Sequence, residues 1–336
     1  MNVEYFSQWL TRQGFKVYKT ESSFWYSAGL RTLQAFPYYW LIQPSREELQ
    51  KLMVSKGVLS LRYSTPLEAN EGKVSYHIEL EKPYTLDMLK PQARNGVKRG
   101  QGCFVVERIP FRRLAEEGWF VQQDTLERQC RVRSMNQETW SRICLAAENL
   151  PGFEAWGAIA DGELAGALFT AQIDNIVCVP YALSRSNYLH EHVNNVLFFR
   201  TCNNILTRPE ISRIFFTVQS LDAPESVDEF KLRMSFRPVP VRQRVVLNPM
   251  VAPLATSFGY EMLTRLMHRY PENCFLAKTE GMVRFARLGK LPVDKQQWPA
   301  CVESYRSNGV SQADNHHQPE SCTPLVHAQA HSGRDQ

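Results

Sequence analysis

Residues 155–183 constrain the fold more tightly than any other stretch of the chain. Three strand-forming runs, AWGAIA (155–160), ELAGALFTAQI (163–173) and IVCVPYAL (176–183), are separated only by Asp161-Gly162 and Asp174-Asn175. Two-residue links of this chemistry tolerate the positive φ angles that tight hairpins demand, so an antiparallel meander follows. Gly157, Ala165, Gly166 and Ala167 are small enough for close packing over a central strand. A polar loop (184–192) then leads into a helix over 193–206. A strand over 211–218, a short helix over 225–235 and an alternating strand over 239–247 complete the pattern. A meander feeding strand–helix–strand units defines an α+β chain.

The first half is less regular. Residues 34–42 read as a strand, and 46–56 as a helix with Leu49, Leu52 and Met53 on one face. Strands follow over 58–63 and 74–80. Residues 84–99 read as a helix that Pro91 must either kink or begin, and 104–109 as another strand. A helical connection over 112–133 leads to Asn136, a good N-cap for a helix over 137–149. Beyond 250, residues 260–270 carry Met262, Leu263, Leu266 and Met267 at helical spacing. Residues 304–336 are polar, with few core-forming side chains, and are expected to be disordered.

At roughly 150 residues per domain, 336 residues suggest two domains. The expected division is 1–132 and 133–250, with a helical extension over 251–303 and the tail beyond. No apolar run approaches the ~18–20 residues needed to span a bilayer. The start MNVEYFSQWLTRQG has an acid at Glu4 and no apolar core of a leader, so a cytoplasmic protein without membrane insertion is expected. Eight cysteines without a CxxC pair read as reduced core residues. His190 and His192 lie too close in sequence to share a helix face, have no cysteine beside them, and do not suggest a metal site.

The net charge of +5, from 39 Lys and Arg against 34 Asp and Glu, is small. It conceals one basic strip: Lys90, Arg94, Lys98, Arg99, Arg108, Arg112 and Arg113 against the single acid Glu107. The strip is either a solvated helix face or a surface for phosphate or RNA backbone.

Four stretches carry a resemblance: the hairpin at 155–173, SRSNYLHEHVNNVLFFRTCNNIL at 184–206, DEFKLRMSFRPVPVRQRVVLNP at 228–249, and LDMLKPQARNGVKRGQGCFVVE at 86–107. Together they resemble the Fem-like branch of the GCN5-related N-acetyltransferase (GNAT) superfamily. The third stretch is similar to that family's FK…GF motif and last strand, and the fourth to the basic helix–strand segment of its first domain. The resemblance covers residues 30–250. It implies two tandem GNAT-like domains, each a mixed central sheet flanked by helices, the first of them degenerate. It also implies transfer of an acyl group from acyl-CoA or aminoacyl-tRNA to an amine of a polar acceptor, such as a cell-envelope precursor in a bacterium.

Four features depart from the family's pattern. Acyl-CoA-binding members hold the pyrophosphate on a Gly-rich loop before the helix that follows the fourth strand. Here that loop, 188–195, has no glycine and includes Glu191; Fem-like members that accept aminoacyl-tRNA also lack the Gly-rich loop. Ser235 stands where the FK…GF motif has Gly, and Thr217-Val218-Gln219 replaces an Asp-x-Gly sequence. No long coiled-coil insertion is present.

Within this framework Lys231, following Phe230, is the lysine expected to face the cleft and steady an oxyanion or phosphate. Asp228 lies three residues earlier and is either its partner, a general base or a plain helix-terminal acid. Tyr181 is a candidate acid for the leaving group, and His190 or His192 a candidate base. Val179–Ala182 is the segment from which the family's splayed strand offers backbone N–H groups, and Pro180 is placed to force that splay or to end a ladder at a bulge. Arg94, Lys98, Arg99 and Arg185 are candidates for substrate or phosphate binding. Two other readings stand beside the transferase: a non-catalytic ligand- or partner-binding protein, and an RNA-binding protein using residues 88–113.

Overall fold

The computed structural model describes residues 2–29, 31–129, 135–221, 228–270 and 273–307. In chain order the first half runs α1 (Val3–Arg12), β1 (Val17–Lys19), β2 (Phe24–Ser27), β3 (Thr32–Phe36), α2 (Arg46–Lys56), β4 (Ser60–Thr65), β5 (Lys73–Glu81), α3 (Pro91–Gly100) and β6 (Val105–Ile109). Helices α4 (Phe111–Glu116), α5 (Gly118–Arg128) and α6 (Gln137–Ala147) lead to the meander β7 (Phe153–Ala160), β8 (Glu163–Ile173) and β9 (Ile176–Ser184). Then come α7 (Val193–Leu206), β10 (Arg213–Val218), α8 (Glu229–Arg233), β11 (Arg237–Leu247), α9 (Ser257–Arg269), α10 (Cys274–Leu288) and α11 (Glu303–Ser307).

Local chemistry explains most boundaries. Asp161 (φ 50°) and Gly162 (φ 84°) both adopt the left-handed conformation that a two-residue hairpin requires. Asn136 caps α6 by accepting the Thr139 N–H at 2.9 Å, and Ser45 caps α2 through the Glu48 N–H at 3.0 Å. Pro91 starts α3 as its first residue instead of kinking a longer helix, so the 84–99 expectation shortens to Pro91–Gly100 after a single turn at Leu86–Met88. The strand expected over 34–42 stops at Phe36, before Pro37, which has no N–H for a ladder. The expected helix over 225–235 reduces to Glu229–Arg233, and residues 225–227 lie outside the described residues. So do 308–336 of the expected tail, whereas 304–307 belong to α11.

One eleven-stranded mixed sheet, counted among the described residues, has the order β1-β2-β3-β4-β11-β5-β10-β9-β8-β7-β6. Strands from the two halves of the chain interleave in it. Strand β11 inserts between β4 and β5, antiparallel to both, and β6 pairs with β7. The sheet therefore continues across chain position 132.

Apolar layers cover both faces. On one, Val97 of α3 and Val196, Leu197 and Cys202 of α7 pack on Val74, Ile78, Val177 and Ile214. On the other, Phe6 and Trp9 of α1 and Trp140 of α6 pack on Phe169, Cys178 and Phe215. Helix α2 closes a third cluster against Trp25, Leu33 and Leu61. None of the described helices is long and apolar enough to cross a membrane.

Strand β5 is buried along all but its last residue and carries polar side chains into the interior. His77 Nε2 lies 2.9 Å from Ser64 Oγ, and its Nδ1 is 3.7 Å from Glu79, which also pairs with Arg213 at 3.3 Å. Burial pulls the imidazole below its ordinary pKa, overcoming the upward pull of Glu79. The unfolded chain then binds the extra proton more readily below about pH 6.5. Stability is full above that pH and falls as pH drops through the depressed folded value. Urea unfolding at neutral and mildly acidic pH should show this loss, and His77→Gln should flatten it. An unchanged pH slope in His77→Gln would contradict the assignment.

Candidate active site at the parting of two strands

Strands β9 and β10 run parallel but pair only over Ile176–Cys178 and Arg213–Phe215. Beyond that point both leave register with their outer neighbours. On β9, the two residues Val179 and Pro180 stand opposite the single residue Thr170 of β8. On β10, Phe216 is the extra residue between Phe215 and Thr217 against β5. Paired bulges at one level bend the strands apart, and Pro180 contributes by having no N–H to donate. Residues 179–182 thus lie where β9 and β10 part, the segment to which the resemblance assigned the reaction centre.

Lys231 sits on the β10 side of this opening. The Phe230–Lys231 helix, α8, is anchored by Phe230 against Phe198 of α7, with ring centroids 5.2 Å apart. That anchoring directs the Lys231 ammonium over the Phe216 ring, 4.5 Å from its centroid. The same ammonium is ion-paired to Asp228 Oδ1, and the other carboxylate oxygen of Asp228 accepts the Tyr76 hydroxyl at 2.8 Å. The carboxylate is buried and the ammonium 13% exposed, so the pair is largely withdrawn from water but open on one side. Tyr76 comes from β5, in the first half of the chain, so the cluster is assembled from both halves.

Just past α8, Ser235 adopts φ 66°, which suits glycine better than serine. Its hydroxyl donates to the Met88 carbonyl at 2.5 Å, holding the segment before α3 against α8. Lys90 N–H to Arg233 O (3.3 Å) and Tyr84 Oη to Met234 O (3.0 Å) tie the same two segments together.

Helix α3 also covers the N-terminus of α7. At Gly100 a Cβ would lie 3.1 Å from the His192 carbonyl, 3.2 Å from that of Glu191 and 3.2 Å from Val196 Cβ. At Gly96 it would lie 2.9 Å from Asn195 Cγ and 3.1 Å from His192 Nδ1. The Gly96–Gly100 spacing puts both glycines on one helix face and lets the two backbones meet there. His192, the residue before α7, is left-handed (φ 64°) and gives no side-chain cap.

The other expected residues are placed as follows. Tyr181 lies on the opposite face of the sheet from Lys231, edge-on to Trp140 and Phe169, and burial raises its pKa well above the tyrosine norm. It is a core residue apart from the Lys231 cluster. His190 is exposed beside Glu191 at 3.4 Å. Arg185 is ion-paired to Glu163 at 3.0 Å. Arg94 donates to the Asp87 and Leu89 carbonyls at 2.9 and 3.1 Å, closing the turn before α3. Arg108, Arg112 and Arg113 pair with Glu154, Glu148 and Glu117. Of the basic strip, Lys90, Lys98 and Arg99 remain exposed and without an ion-pair partner among the described residues. No group of three or more His, Cys, Asp or Glu side chains able to hold a metal occurs among the described residues.

No family model matches this sequence, and no curated protein matches it. Solved structures do. FemX superposes with a TM-score of 0.53 at 8% identity, covering 74% of this chain and 93% of its own. The C-terminal domain (DUF2156) of a candidate lysylphosphatidylglycerol synthetase from Agrobacterium fabrum gives 0.51 at 10% identity, covering 78% and 92%. A conserved protein of unknown function from Bacteroides thetaiotaomicron gives 0.50 at 11%, covering 72% and 88%. The fold is that of the Fem-like GNAT proteins.

Within the Fem-like GNAT fold, two site features escape a reading of the sequence. Tyr76 sits in KVSYHIELE, where a strand tyrosine reads as core and nothing local announces a partner 152 residues away. The α3–α7 contact was signalled only by the Gly96-x-x-x-Gly100 spacing.

Proposed function

We propose that this chain transfers an acyl or aminoacyl group from an activated donor to an amine, at the opening between β9 and β10. The observation that carries the reading is the parting of the two strands beside a lysine held in place by Asp228. The acceptor amine attacks the acyl carbon, forming the C–N bond and a tetrahedral oxyanion. The oxyanion collapses, the bond to the donor oxygen or sulfur breaks, and the leaving group takes the proton released by the amine. The Lys231 ammonium meets the developing negative charge, and because Asp228 and Tyr76 fix it in advance, little reorganisation is needed during reaction. Asp228 and Tyr76 act as positioning residues.

Aminoacyl-tRNA is the donor this geometry favours over acyl-CoA. The α7 N-terminus, which would hold a pyrophosphate, is covered by α3, while exposed Lys90, Lys98 and Arg99 offer cations to a polynucleotide backbone. The acceptor class is a polar amine-bearing metabolite, in keeping with a cell-envelope precursor in a bacterial cytoplasm.

Fluorescence anisotropy with labelled aminoacyl-tRNA and calorimetry with acetyl-CoA test the reading. Binding of aminoacyl-tRNA that weakens as salt rises, with no heat from acetyl-CoA, is expected. Binding of acetyl-CoA alone would overturn the choice of donor. Failure of both donors to bind would overturn the transferase reading.

A further inference from the structure

Helix α9 turns an apolar stripe outward. Phe258, Met262 and Leu266 recur every four residues along it, and are 74%, 55% and 43% exposed; Leu263 is its one buried residue. Met250 and Leu254 extend the stripe at one end, where the Pro253–Leu254 backbone packs directly against Gly259. Tyr270 extends it at the other. Seven of the seventeen exposed large apolar side chains described fall within residues 250–275, so this is a patch and not the usual scatter of single residues.

Charge decides among occupants. The titratable side chains of α9 are Glu261, Arg265, His268 and Arg269, and α10, packed against it, exposes Lys278. Glu261 is taken up by Arg265 at 2.6 Å, whereas the exposed Arg269 and Lys278 have no ion-pair partner among the described residues. A second copy of the chain would bring like charges together. A surface that is apolar within and anionic at its boundary complements both features.

We propose that α9 is an in-plane membrane anchor: its Phe258–Met262–Leu266 stripe lies in the headgroup–acyl boundary of an anionic bilayer, with Arg269 and Lys278 at the lipid headgroups. A 13-residue helix is about 20 Å long, which suits lying along a membrane surface and is too short to span it. The inference does not depend on the transferase reading.

Co-sedimentation of the full chain with vesicles tests it. Vesicles of phosphatidylcholine mixed with phosphatidylglycerol should bind the protein, phosphatidylcholine alone should bind it more weakly, and added salt should reduce the difference. The exposed triple substitution Phe258→Ser, Met262→Ser, Leu266→Ser should lower partitioning by at least ~10-fold, while circular dichroism and the unfolding midpoint stay those of the parent chain. Arg269→Gln and Lys278→Gln should each lower binding to the anionic vesicles about fivefold and leave the neutral ones unaffected. Absence of vesicle binding would overturn the proposal, as would binding indifferent to the triple substitution. A dimer in solution that the triple substitution dissolves, without vesicle binding, would overturn it in favour of a second copy.

Discussion

Asp228→Ala and Lys231→Met are each expected to destabilise the chain by about 3 kcal/mol, and the pair Asp228→Asn, Lys231→Met by far less. Each single change strands one charge in a site largely closed to water, and the Asp228 change also removes the hydrogen bond it accepts from the Tyr76 hydroxyl. In the double variant the introduced asparagine still accepts from Tyr76, and the methionine keeps the contact over Phe216. Urea unfolding of the parent chain, the Asp228→Asn and Lys231→Met single variants and their double gives the coupling energy directly. The double variant then isolates function from folding: with the fold retained, acyl transfer should fall by about 10²–10³-fold, the usual cost of losing one group that stabilises an oxyanion. Equal stability of singles and double would show that the ion pair carries no structural weight. Undiminished transfer in the double variant would remove Lys231 from the chemistry.

The second large effect is expected at Gly100. A leucine there drives its Cβ against the carbonyls of Glu191 and His192, which are backbone atoms just before α7 and have little room to yield. Overpacking of this kind costs about 1–3 kcal/mol, more than the helix propensity regained on replacing glycine. Gly102→Leu is the matched control, because its nearest neighbour is an ordinary contact at 3.6 Å. A fall in the urea midpoint confined to Gly100→Leu is the expected result. Equal midpoints for the two variants would mean that α3 does not press on α7.

Elements whose instructions are local were readable from the residues alone. The hairpin turns at Asp161 and Asp174, the Asn136 cap and the helix Val193–Leu206 each depend on neighbours a few residues apart, and they lie where expected. The bulge at Pro180 was equally local. What escaped depended on sequence-distant contacts. The place of β11 between β4 and β5 is set by which sheet edges remain open, and no residue of RPVPVRQRVVL states it. Helix α10 lies within the stretch 251–303 expected to be helical, but no bounds were read for it. The pairing of Lys231 with Asp228 was legible because the two lie three residues apart, whereas Tyr76 completes the cluster from another strand. Tyr181 looked chemical because it lies on β9 beside the opening. The bulge and the alternation of faces turn it into the opposite layer.

The insertion of β11 has a consequence for biosynthesis. While the ribosome is still adding residues before 237, β4 and β5 have been made but the strand that joins them does not yet exist. Each carries an open edge during that interval, a state prone to pairing with other nascent chains. Long-range strand pairings, such as Leu247 with Ser60, close late and raise the mean sequence separation, so folding should be slow for a chain so rich in helix. A fragment ending at 132 would remain in that open-edged state permanently.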